Sequence, residues 1–188
     1  MFPFDARNYS AALVPLLQQA PTSELGPGKP DESKRDAIAA LGASDSFGSS
    51  ARHNPLARAC LAGLWLRYDF LDEAHAISQE VGTPEGSYWH AIVHRREPDF
   101  ANAKYWFRQV GIHPIDAELA AAGRQMAAEE SAGGAAAYLL EQKLWSAERF
   151  VDLCQQASGK GAALVPLCRR LQQREWELLF DYCYRGAI

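Results

Sequence analysis

Asn54-Pro55-Leu56-Ala57-Arg58-Ala59-Cys60-Leu61-Ala62-Gly63-Leu64-Trp65-Leu66-Arg67-Tyr68-Asp69 is the stretch that decides the fold. Asn54 can accept the N–H groups that a helix start leaves unpaired, and Pro55 lacks such an N–H altogether. From residue 56 to 69 the chain is then apolar nearly all round, through Leu61, Leu64, Trp65, Leu66 and Tyr68. A helix of that kind is central and covered on most sides by other elements.

Outward from this helix, apolar residues recur with helical spacing over 71–81, 85–97, 99–110, 116–130, 135–142, 146–157 and 162–184. Gly82-Thr83-Pro84, Pro98, Gly111 and Gly133-Gly134 separate these segments, and Pro166 marks an irregularity near the start of the last. No alternating stretch longer than four residues is bounded by hairpin turns. The expected fold is therefore all-α, a compact array of antiparallel helix pairs with about eight core helices. Ahead of Asn54, residues 8–20 read as a weak helix that Pro15 kinks or ends, 21–30 as a Pro- and Gly-rich loop, and 31–41 as a short helix capped by Asp31. Residues 42–54, rich in Ser, Ala and Gly, read as a mobile connection. This divides the chain into an N-terminal arm, 1–54, and a helical core domain, 55–188.

Residues 71–82 and 100–111 line up at an offset of 29, sharing Ala74 with Ala103, Ile77 with Trp106, Val81 with Val110 and Gly82 with Gly111. Ala147, Phe150, Cys154 and Ala157 repeat the skeleton 44 residues further on. A small alanine lets a neighbouring helix approach while the bulky residues fill the groove beside it. The pattern resembles the second helix of tetratricopeptide or Sel1-like repeats, most closely in Asp99-Phe100-Ala101-Asn102-Ala103-Lys104-Tyr105-Trp106-Phe107. The resemblance covers about a third of the chain and implies an irregular tetratricopeptide-like array, since 29 and 44 are not a constant period near 34. Gly86-Ser87-Tyr88-Trp89-His90-Ala91-Ile92-Val93-His94-Arg95-Arg96-Glu97-Pro98-Asp99 and Glu175-Trp176-Glu177-Leu178-Leu179-Phe180-Asp181-Tyr182-Cys183 resemble stretches of an uncharacterised helical family of bacteria and fungi. That second likeness implies an independent domain and carries no activity with it.

A chain of 188 residues with 48% hydrophobic and 22% charged residues can bury a sizeable core. Its net charge of −4, with only Arg95-Arg96 and Arg169-Arg170 as basic clusters, argues against nucleic-acid binding. No apolar run approaches the roughly 20 residues of a membrane span, and the first residues lack the character of a secretion signal. Cys60, Cys154, Cys168 and Cys183 are scattered without a CxxC pair, which fits reduced thiols and a cytoplasmic location.

Chemistry-bearing side chains concentrate between residues 75 and 113, where His75, His90, His94 and His113 fall. At about 100° per residue, His90, His94 and Glu97 share one helix face, opposite Tyr88, Trp89, Ile92 and Val93. Two histidines one turn apart can chelate a divalent metal such as zinc, with Glu97 or His75 completing a three-ligand site that keeps one position open. Such a site can activate water, although His90-Ala91-Ile92-Val93-His94 lacks the glutamate base of the HExxH proteases. Structural or exposed histidines are the competing reading.

Arg96 falls among Trp89 and Val93 on the apolar face and needs a carboxylate there, Asp69, Glu73 or Asp99. Alternatively Arg95, Arg96 and Lys104 form an anion site, with Tyr105 as an exposed contact beside them. Trp176, Leu179, Phe180 and Tyr184 read as the packing stripe of the last helix or as a homodimer contact. The leading functional expectation is a protein- or peptide-binding domain using the surface around Arg95, Arg96, Lys104 and Tyr105. The alternative is a small metal-dependent hydrolase or ligand-binding domain centred on the histidines. Convergence of the side chains in space decides between them.

Overall fold

A computed structural model describes residues 3–47, 53–159 and 162–188. Among the described residues the regular structure is helical throughout, with no strand. Two short helices come first, α1 (Val14–Gln19) and α2 (Arg35–Leu41). Then follow α3 (Pro55–Arg67), α4 (Leu71–Ser78), α5 (Pro84–Arg96), α6 (Phe100–Val110) and α7 (Asp116–Glu129), and finally α8 (Ala147–Ser158) and α9 (Val165–Ala187). None of these helices is long and apolar enough to cross a membrane.

Capping side chains set the starts of α3, α5 and α6. The Asn54 side chain accepts from the N–H groups of Leu56 and Ala57 at 2.9 and 3.3 Å, with Pro55 in the first turn of α3. Thr83 does the same for Gly86, ahead of Pro84, and Asp99 for Asn102. Gly111 ends α6 with φ at +69°, a conformation that a Cβ disfavours. The three-residue turns between α3 and α4 and between α5 and α6 fold each pair back on itself, and these are the most closely packed neighbours.

The core has two centres. Helix α5 lies against α3, α4 and α6, while α9 lies against α3, α7 and α8. Trp176 of α9 donates its indole N–H to the Gly63 carbonyl of α3 at 2.7 Å and packs 6.2 Å from Trp89 of α5. The all-round apolar character of residues 56–69 has this cause: α3 is sandwiched between the other two.

Four expectations need correction. Pro15 and Pro166 do not interrupt helices; each sits in a first turn, of α1 and α9, where the missing N–H would have had no partner. Residues 135–142 do not form an α-helix, and Gly134–Leu140 is wound as a 3-10 helix. Helix α5 has no polar face, because His90, His94, Arg95 and Arg96 are as buried as Trp89 and Val93. Nor do the described residues ahead of Asn54 stand off as an arm. Leu13, Ile38 and Phe47 are fully buried and join the same cluster as Trp89 and Phe180. The Tyr68 hydroxyl donates to the Leu16 carbonyl at 2.6 Å, and the Ser10 hydroxyl donates to the Ser46 carbonyl at 2.6 Å. Part of the connection expected to be mobile, residues 48–52, lies outside the described residues.

Candidate metal centre

Helix α5 presents His90 and His94 one turn apart toward α4, which presents His75. One ring nitrogen from each of the three lies within 4.8 Å of the others. The His90 and His94 rings stack at 4.7 Å and 26°, with their Nε2 atoms 3.0 Å apart. The His75 ring sits 4.6 Å from His90 and 4.9 Å from His94. Among the described residues no other group of three or more His, Cys, Asp or Glu side chains gathers in this way.

Glu97, expected as a ligand, takes a different place. Just past the end of α5, its carboxylate lies 3.3 Å from Nδ1 of His94 and 3.6 Å from Nδ1 of His75. Asp99 Oδ2 is 3.9 Å from the same His94 nitrogen. A carboxylate on the Nδ1 side favours the tautomer with hydrogen on Nδ1 and a lone pair on Nε2. For His94 that lone pair faces Nε2 of His90. Glu97 is thus placed to orient ligands rather than to be one.

The surroundings favour the neutral form of His90 and His94. Burial pushes His90 down to about 4, and the neighbouring His75 and His94 push in the same direction. Burial also lowers His94, against the opposing pull of Glu97. The Trp106 ring covers His90 at 4.2 Å, and exposed Tyr105 packs edge-on against Trp106. His75 and Glu97 are half-buried and give the cluster its contact with solvent. Neutral imidazole is the form that binds metal. Zinc held at about 2.0–2.1 Å by each nitrogen sets ligand nitrogens roughly 3.3 Å apart. The Nε2 atoms of His90 and His94, 3.0 Å apart, are near that spacing, and a ring nitrogen of His75 lies within 4.8 Å of them.

The residues of the expected anion site do not converge. Arg95 is fully buried and donates to Glu175 Oε2 of α9 at 2.5 Å, with its guanidinium 4.6 Å over the Phe150 ring. The Tyr88 hydroxyl donates to the other oxygen of Glu175 at 3.2 Å. Arg96 pairs with Asp69 at 2.5 Å, one of the three carboxylates expected for it, and also donates to the carbonyls of Gly26, Leu66 and Pro27. Lys104 pairs with Asp152 on α8. Glu175 and Gly26 were invisible as partners because they lie 80 and 70 residues away in sequence.

His113 stands apart from the cluster. Its Nε2 is 3.6 Å from Glu85 Oε1, and its ring packs on Tyr88 and Tyr182. All four cysteines are buried and free.

No protein-family model matches this chain, and no curated protein or solved structure matches it. The chemistry of the site therefore rests on the chain's own geometry.

Proposed function

We propose that this chain is a divalent-metal-binding helical domain in which His75, His90 and His94 hold a zinc ion and Glu97 orients the imidazoles. The gathering of three ring nitrogens within 4.8 Å carries the reading. A bound ion would tie α4 to α5, with half-buried His75 and Glu97 on the solvent side of the cluster. Three imidazoles and an open position are the ligand set of zinc sites that lower the pKa of bound water. Glu97, beside two of the imidazoles, would be the carboxylate at hand to take a proton from such a water, so hydrolysis of a substrate approaching from solvent is the reaction class this arrangement favours. A peptide-binding surface around α5 and α6 has less support, because Arg95 and Arg96 are buried and paired while Tyr105 remains exposed.

The test is elemental analysis of untagged protein purified without chelator, followed by zinc titration against a chromophoric chelator. One zinc per chain is expected, lost in His90→Ala and His94→Ala. Glu97→Gln should bind about 10- to 100-fold more weakly, the usual cost of losing an outer carboxylate. Protein that takes up no zinc, or takes it up equally well without His90 and His94, would overturn the reading.

A further inference from the structure

Buried Arg95, Arg96 and Arg174 each pair with a carboxylate, buried Arg67 bonds to the Gln173 side-chain oxygen and the Ala20 carbonyl, and buried Glu175 and Glu85 each have a basic neighbour. Asp116 breaks this pattern. It opens α7, is 7% exposed, and its Oδ2 accepts the N–H of His113 at 2.8 Å. Among the described residues no lysine, arginine or histidine side chain forms an ion pair with it. A carboxylate taken out of water without a cation is costly unless something else compensates its charge.

Asp116 lies in the wall of a cleft of about 340 Å³ between the end of α6 and the starts of α7 and α8. That volume is in the range of small-ligand sites. Tyr88, Phe107 and Trp145 line it as well, so three aromatic rings border the space beside the carboxylate. The backbone N–H of Trp145 donates to the Asp116 carbonyl at 3.2 Å, which fixes two of the walls to each other. Glu148 and Arg108 stand at the rim, paired at 2.5 Å and about half exposed, so Arg108 is held by Glu148 and not by Asp116. The lining thus combines one unmatched buried negative charge with polarizable rings, the combination that recognises organic cations through charge and ring faces.

We propose that this cleft binds a small organic ammonium ion, its charge set against Asp116 and its alkyl body against Tyr88, Phe107 and Trp145. Burial pushes the Asp116 carboxyl above its usual range against the opposing influence of His113, and an incoming cation relieves that penalty. The site is independent of the metal reading, since none of these residues belongs to the histidine cluster.

The experiment is a pair of NMR titrations of the full chain at fixed ionic strength, one with choline and one with its neutral isostere 3,3-dimethyl-1-butanol. A parallel titration with n-butylammonium separates a methylated from a primary amine. Saturable shifts of the Trp145 indole and the Asp116 amide are expected with an ammonium and not with the alcohol. Asp116→Asn should weaken that binding by about tenfold or more, while Asp152→Asn, at a residue that pairs with Lys104 and does not line the cleft, leaves it unchanged. Shifts that do not saturate, equal response to the alcohol, or undiminished binding in a folded D116N would overturn the proposal. If D116N fails to fold, the comparison of cation with alcohol in the unaltered chain decides alone.

Discussion

His90 ties the candidate metal centre to the stability of the molecule. Its imidazole is packed against His75, His94 and Trp106, with Glu97 and Asp99 on the His94 side of the cluster. In the folded chain it resists protonation down to about 4, against 6.5 for a free histidine. The unfolded chain therefore binds the proton first as the solution is acidified. Its contribution to stability is fully present above about pH 6.5 and is lost as the pH falls toward 4. Urea denaturation between pH 7 and 4 should show a falling midpoint, and His90→Gln should flatten that slope. Bound zinc should raise the midpoint at pH 7 and steepen its fall, because the ion excludes protons from the folded site while the unfolded rings still bind them. An unchanged slope in His90→Gln would mean that the proton-linked loss comes from other groups.

Between elements, the fit of α3 against α5 depends on one missing side chain. A Cβ built on Gly63 would lie 2.6 Å from Cζ2 of the fully buried Trp89. Gly63→Ala gains roughly 1 kcal/mol in helix propensity, but overpacking of a closed core costs typically 1–3 kcal/mol. Trp89 is also held near Trp176, whose N–H is bonded to the same Gly63 carbonyl, so the ring has little room to move. A net loss of up to about 2 kcal/mol is expected in urea denaturation, and a raised midpoint would show that the ring can shift. The element scale is also where the sequence was most readable. Asn54-Pro55, Thr83-Pro84, Asp99 and Gly111 mark real helix ends because caps act within a turn of chain. The i, i+4 spacing of His90 and His94 was readable for the same reason, and it puts their Nε2 atoms together. What short-range pattern could not supply was anything set by a distant neighbour. Helical angle alone placed His90 and His94 on a polar face, yet α4 and α6 cover that face and bury it. Likewise Arg95 read as a surface charge because its partner Glu175 lies on another helix, 80 residues on.

At the scale of the whole molecule, the N-terminal segment closes the fold. Phe4 and Tyr9 pack on Trp176 and Phe180 at 5.8 and 5.6 Å, and the Tyr9 hydroxyl donates to Asp181 at 3.0 Å. The carbonyls of Gly26 and Pro27 accept from Arg96, and that of Glu24 accepts from Gln172 at 2.9 Å. These are interior groups of α5 and α9, and without residues 1–30 Arg96 would lose two of its four acceptors and Gln172 this one. Leu13, Leu16, Leu17 and Leu25 are buried as well. At roughly 1.5–3 kcal/mol for each buried leucine side chain, the four contribute on the order of 6–12 kcal/mol. That is comparable to the roughly 5–15 kcal/mol of an ordinary domain's whole stability. Deleting residues 1–30 should therefore abolish the cooperative thermal transition, leaving helical circular dichroism, poor NMR dispersion and binding of a hydrophobic dye. A deletion variant that melts cooperatively with dispersed resonances would instead mean that the helices from Pro55 onward hold Trp176 and Phe180 in place by themselves. The histidine cluster lies on α4 and α5, outside the deleted segment, so zinc uptake by the same variant reports whether that helix pair still forms.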